Sequence, residues 1–241
     1  MRRLRGVAIV ALLFAALTVL PVLLLRSLAP PTSAFMLEAR LDALLSGDHA
    51  YRVRYEWVSL EQIAPHTALA VIASEDQQFP FHAGFDLHSI RESIRASAGG
   101  ARLRGASTIS QQVAKNLFLW NGRSFVRKAL EAWLTVLLEA LWPKERILET
   151  YLNVAQFGRG IYGVQAAAHV YFHQPASALT RQQSALLAAV LPNPLRLHVD
   201  RPSRYVESRR EWILEQMRRL GGPAYLRTVE REAAARGPAR P

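Results

Sequence analysis

From residue 7 to residue 25 the chain reads VAIVALLFAALTVLPVLLL, nineteen positions without a charge and almost wholly apolar, bounded by Arg5 and Arg26. At about 1.5 Å per residue such a run spans a bilayer core of roughly 30 Å. It is longer than the about 7–15 apolar residues of a cleaved leader, so a retained anchor is expected, although SLA and TSA nearby resemble weak cleavage sites. The Pro pair in SLAPPTSAFM (27–36) predicts a short stiff connector, and YRVRYEWV (51–58) alternates as a short strand does.

From about residue 61 the apolar positions take a helical period. Helices are predicted at APHTALAVIASE, ASTISQQVAKNLFLW, SFVRKALEAWLTVLLEALW, PKERILETYLNVA, GVQAAAHVYF and TRQQSALLAAVL, with Gly and Pro at the joins. SRREWILEQMRRLGG predicts one more amphipathic helix, and the closing RGPARP a frayed tail. No internal repeat is visible. The fold class expected for the part beyond the anchor is mainly α, in a single domain.

Composition adds limits. The chain has 241 residues, half of them hydrophobic, enough for one core. The absence of cysteine excludes disulfides, thiolate nucleophiles and cysteine metal sites, and leaves the redox compartment open. The net charge of +11 attracts phosphate, nucleic acid or anionic lipid. Arg2, Arg3 and Arg5 before the apolar run, against Arg26 alone just after it, place the N-terminus in the cytoplasm and the rest outside. That orientation weakens the nucleic-acid reading and favours a membrane surface or anionic headgroup. Among thirty Lys and Arg only Lys115, Lys128 and Lys144 are lysines, each on its own terms a solvated surface residue.

Four stretches bear chemistry. In ASEDQQFPFHAGFD (73–86), Glu75-Asp76 precede an aromatic cluster; a catalytic carboxylate and a solvated acidic turn both fit. His82 and Asp86, four apart, have metal-ligand spacing, but no second pair completes a site and a hydrogen-bonding histidine is the simpler reading. In RGASTISQQVAKNLF, Thr108 and Gln111 have capping-box spacing, starting a helix at Ser107 or Thr108 whose N-terminus suits a phosphate, or is an ordinary cap. Gln111 or Gln112 then shares a face with Lys115. In NGRSFVRKALEAW, Arg127 and Glu131 are an i, i+4 pair with Arg123 and Lys128 nearby; the apolar continuation predicts that Glu131 is buried or cleft-lining and needs those cations. A carboxylate base, a second carboxylate among cations and a helix N-terminus together suit transfer of a group away from a phosphate or pyrophosphate.

EDQQFPFHAGFD resembles the first motif of the peptidoglycan glycosyltransferase family, GASTISQQVAKNL the second, RKALE the third, KERILETYLN the fourth and SRREWILEQM the fifth, in the family's order over about residues 50–220. The resemblance implies a lysozyme-like helical glycosyltransferase domain with a smaller membrane-proximal lobe, after one transmembrane helix. The implied organisation is 1–6 cytoplasmic, 7–25 anchor, 26–49 linker and membrane-proximal segment, 50–222 catalytic domain and 223–241 tail. With little chain after the fifth motif, the monofunctional biosynthetic branch, lacking a transpeptidase domain, is expected.

The implied reaction polymerises lipid II into glycan strands. Glu75 would be the general base that takes the proton of the acceptor's 4-hydroxyl, with a pKa near or modestly above that of an ordinary Glu. Glu131 would sit in the donor site with Lys115, Arg123 and Arg127, holding the pyrophosphate directly or through a divalent cation, Mg or Mn. Asp76, Ser107 and Gln112 would support the cleft and contact substrate. The implied partners are lipid II, undecaprenyl-pyrophosphate-linked glycan, the membrane, and candidate cell-wall synthases or division proteins, with no nucleic acid. The implied location is the inner membrane, single-pass, with the catalytic domain periplasmic and NLFLW a candidate lipid contact. Two other readings stay open: a membrane-anchored muramidase, which needs a protonated Glu75, and a non-catalytic basic module, which does not need Glu75 at all.

Overall fold

The computed structural model describes residues 2–98, 107–122 and 124–236. The apolar N-terminal run lies in α1 (Arg2–Leu25), 24 residues or about 36 Å of helix. Among the described residues no helix is long and apolar enough to cross a membrane; the side chains of Arg2–Leu4, Val7, Ala8 and Ala11 lie outside that set. The connector leads into α2 (Ala34–Leu45), capped by Ser33, whose Oγ accepts the Met36 N–H at 3.2 Å. This helix has no counterpart in the sequence reading, and it leaves Leu37, Leu41, Leu44 and Leu45 exposed.

The expected strand at 51–58 contracts to β1 (Arg54–Tyr55). Asn153 takes over from the ladder beyond it, accepting the Val58 N–H and donating to the Val58 carbonyl, both at 2.9 Å. Then come α3 (Pro65–Glu75), α4 (Leu87–Ala98), α5 (Ile109–Phe118), α6 (Phe125–Leu141) and α7 (Lys144–Val154). β2 (Gln156–Gly158) and β3 (Ile161–Tyr162) complete a small sheet in the order β1-β3-β2, β1 parallel and β2 antiparallel to β3. α8 (Val164–Phe172), α9 (Arg181–Val190), α10 (Arg204–Arg219) and α11 (Leu226–Arg236) finish the fold.

α3 is the axis of the molecule. Every residue from Thr67 to Ala73 is buried, so this stretch of the helix has no solvent face. Its small residues let α9 and α10 come close, and Thr67 Oγ1 meets Ser184 Oγ of α9 at 2.9 Å. α5 packs against both α6 and α7. α11, within the segment read as tail, buries Val229 against α7 and α3. In NLFLW core packing prevails: Leu117 and Leu119 are buried and Trp120 alone is substantially exposed, at 47%.

Candidate active site

Glu75 is the last residue of α3, at the end of a rod that cannot shift without disturbing the core. It opens on a cleft of about 1040 Å³ lined also by Asp76, Phe81, His82, Phe85 and Trp212. Its side chain keeps 13% exposure. Gln112 Nε2 donates to its Oε2 at 2.9 Å, and Arg209 Nη2 of α10 stands 3.6 Å from Oε1. Burial pushes the Glu75 carboxyl above its ordinary value, while Gln112, Arg209 and Lys115 pull the other way and Asp76 adds to the rise. The negative end of the α3 dipole acts in the same sense as burial.

Behind Glu75 a hydrogen-bond chain fixes orientation. Tyr151 of α7 is fully buried and its phenol, raised well above its ordinary range by burial, stays protonated. Its hydroxyl donates to Gln112 Oε1 at 3.3 Å, which turns the amide so that Nε2 faces Glu75. Neither Tyr151 nor Arg209 stood among the residues expected from sequence. The signal for Tyr151 is its place in the ETYLN stretch; Arg209 sits in a run of arginines that gives no reason to choose one.

Asp76 is buried and supports the site from below. Its carboxylate receives His82 Nε2 at 3.0 Å and the Ile109 N–H, the first amide of α5, at 3.0 Å. His82 Nδ1 accepts the Gly84 N–H at 3.1 Å, which assigns the proton to Nε2. The histidine is therefore a structural hydrogen-bonding residue. Asp86 caps α4 instead, accepting from Ser89 N at 3.0 Å and Ser89 Oγ at 2.5 Å. Gly84, at φ +87°, brings its carbonyl to 2.6 Å from Thr108 Oγ1; a Cβ there would lie 2.6 Å from Thr135 Cγ2.

These contacts bear on the two readings left open for the start of α5. Thr108 caps α5 and forms a full capping box with Gln111, while Ser107 lies exposed just before it. Asp76 and Thr108 occupy the amides of Ile109 and Gln111, so the α5 N-terminus is an ordinary cap rather than a phosphate cradle.

Glu131 is buried on α6, as the apolar pattern predicts. Its Oε2 receives Arg127 Nη1 at 2.7 Å and its Oε1 pairs with Lys128 Nζ. Lys115 joins this group from α5: burial lowers its pKa most, Glu131 opposes that, and Arg127 and Lys128 add to it. Gln112 and Lys115 thus stand on one side of α5 between the two carboxylates, with Glu75 and Glu131 both acting on Lys115. Arg123 lies outside the described residues. Arg127 and Arg209 each bury an Nε–H with no acceptor among the described residues. Lys144 departs from the surface-lysine reading: it is 2% exposed, pairs with Glu139 at 2.7 Å and lies 4.4 Å from the Phe79 ring centre.

The site does not assemble a metal cage. Among the described residues no group of three His, Cys, Asp or Glu side chains is placed to hold a cation, and both Glu131 oxygens already face cationic groups. The residues present do not fit a divalent ion held by the protein alone.

The transglycosylase family profile matches residues 43–218, which include every described residue of this site. The chain belongs to the transglycosylase family. Among its relatives in that family, the biosynthetic peptidoglycan transglycosylase of Xanthomonas campestris pv. campestris (strain B100) is 55% identical over 225 residues, covering 93% of this chain and 92% of that one. The protein of the same name from Escherichia coli O127:H6 is 58% identical over 204 residues, 84% of each chain. That from Pectobacterium carotovorum subsp. carotovorum is 55% identical over 207 residues, 86% and 85% of the two chains. For this transglycosylase the match thus extends beyond the site to most of the helical body.

Proposed function

We propose that the chain is a peptidoglycan glycosyltransferase that polymerises lipid II into glycan strands. What carries this reading is the family match over residues 43–218, and at the site both Gln112 and Arg209 present donors to Glu75 that oppose the upward push of burial. They favour the carboxylate over the acid, as a base requires and a muramidase's acid does not. The ionised Glu75 takes the proton of the acceptor's 4-hydroxyl as that oxygen bonds to the anomeric carbon of the donor sugar. The carbon–oxygen bond to pyrophosphate breaks, the configuration inverts, and undecaprenyl pyrophosphate leaves as an anion; Glu75 later returns its proton to solvent.

The cations around Glu131 serve that leaving group. Lys115, Arg127 and Lys128 cluster there and supply cationic donors for phosphate oxygens. Arg123 is proposed to join them on the strength of the motif resemblance. Glu131 holds these cations in place. A divalent cation, Mg or Mn, is proposed only as a companion of the pyrophosphate, whose own oxygens supply most of its ligands; no step runs through it.

The chain is further proposed to be held in the inner membrane by α1, with the N-terminus cytoplasmic, the helical body periplasmic and lysozyme-like, and the lobe around α2 next to the bilayer. The uncharged run 7–25 and the exposed leucines of α2 support that placement.

The test is strand formation from purified lipid II by the solubilised protein, beside Glu75→Gln and Glu131→Gln, with and without chelator. Polymer from the parent and at least about a hundredfold loss in Glu75→Gln are expected. Cleavage of preformed glycan without polymer formation would hand the site to the muramidase reading, and full activity in Glu75→Gln would remove the base.

A further inference from the structure

The end of α1 is tied to the helices that carry the active site. The last turn of α1 holds no basic residue of its own. Its Val22, Leu23 and Leu24 carbonyls take the backbone N–H groups of Arg26, Ser27 and Leu28, and further donors come from far along the chain. Trp142 Nε1 reaches the Val22 carbonyl at 2.7 Å. Arg146 places Nε and Nη2 on the Leu25 carbonyl at 3.1 and 2.8 Å, and Nη2 also on the Leu28 carbonyl at 2.5 Å.

The guanidinium is itself held on several sides. Its carbon lies 4.8 Å from the Trp57 ring centre and 5.7 Å from that of Trp142, and Nη1 faces Glu149 Oε2 at 3.4 Å. Val22 is wholly buried while Leu23 and Leu24 beside it are exposed, so one side of this turn is docked and the other is free. One turn earlier Pro21 donates no N–H, and the Leu17 carbonyl loses its helical donor. The clamp begins directly after this weak point.

We infer that Trp142 and Arg146 are positioning residues that make α1 a rigid extension of the catalytic body. Trp142 ends α6, which carries Glu131; Arg146 lies in the first turn of α7, which carries Tyr151 and, through Gln112, orients Glu75. Both arms of the site therefore hang from one helix end. Resting on the membrane-bound, lipid-linked reading above, the consequence is that the height and tilt of α1 in the bilayer are passed to the cleft. A substrate whose polyprenyl tail stays in the bilayer offers its reacting atoms at a fixed height, and the clamp matches the cleft to it.

The test uses the full chain in bilayer nanodiscs. Arg146→Lys keeps the charge but loses the fork, and Trp142→Phe keeps the ring but loses the N–H. Because the chain has no cysteine, single cysteines at Leu24 and Arg181 accept spin labels uniquely. We expect the label-to-label distance distribution to broaden in both variants. Turnover of long-tailed lipid II in bilayers should fall about tenfold, while turnover of a short-tailed, water-soluble analogue in detergent stays within about twofold of the parent. An unchanged distance distribution overturns the inference, as does an equal loss in the two media, which marks general destabilisation. If the parent polymerises neither substrate, the functional reading fails, and the distances alone then decide the clamp.

Discussion

Glu75 shows how few atoms decide whether a buried carboxyl can serve as a base. Burial favours its proton, and Gln112 and Arg209 favour its loss. Removing the amide in Gln112→Ala should raise the carboxyl pKa and move the acidic limb of the kcat/KM profile to higher pH. Tyr151→Phe should do so by less, because the amide survives but loses its orienting donor; a pH profile of both variants decides. Linkage gives a companion result. A carboxyl whose folded pKa lies above its unfolded one contributes stability that is complete below the unfolded value and is lost as pH rises through the folded value. Glu75→Gln escapes that loss, so its melting temperature should gain on the parent's as pH rises from about 4 to about 8, read by calorimetry. The burial of Glu131 and the Thr108 cap were legible because spacing and apolar context suffice for them, whereas for Glu75 the residues alone left an acidic turn open and the family resemblance pointed to the base. Arg209 and Tyr151 were not legible, since their value comes from contacts across the fold.

The helices are joined by polar groups as much as by apolar ones. Asp76 caps α5 from the end of α3, and the buried Glu139–Lys144 pair, with Ser110 donating to Glu139 at 2.5 Å, ties α5, α6 and the start of α7 together. Lys144→Met removes the ammonium partner of the buried Glu139 side chain, a loss of about 3–5 kcal/mol. Adding Glu139→Leu should restore much of it, and denaturant melts of the two variants test the difference. Strong apolar stripes and caps made α3 and α5 through α10 readable in advance. α4 and α11 carry few apolar positions, and α2 sits in a stretch that reads as connector, so only their packing partners reveal them.

At the scale of the whole chain, arginine dominates the surface, and much of its attraction for an anionic substrate is long-range. Salt screens such attraction over about 10 Å at 0.1 M. Added salt should therefore raise KM for lipid II several-fold while kcat changes little, as initial rates at fixed detergent would establish. The +11 charge was legible as an attraction for phosphate, nucleic acid or anionic lipid; the cation cluster around Glu131 supports the proposed phosphate partner. Last, α3 is enclosed on every side from Thr67 to Ala73 and ends in Glu75. A carboxylate mounted this way is set in place when the protein folds, not when substrate arrives. Its amides should rank among the slowest to exchange with solvent, and each turnover would begin from the same geometry, which is what successive additions to one growing strand require.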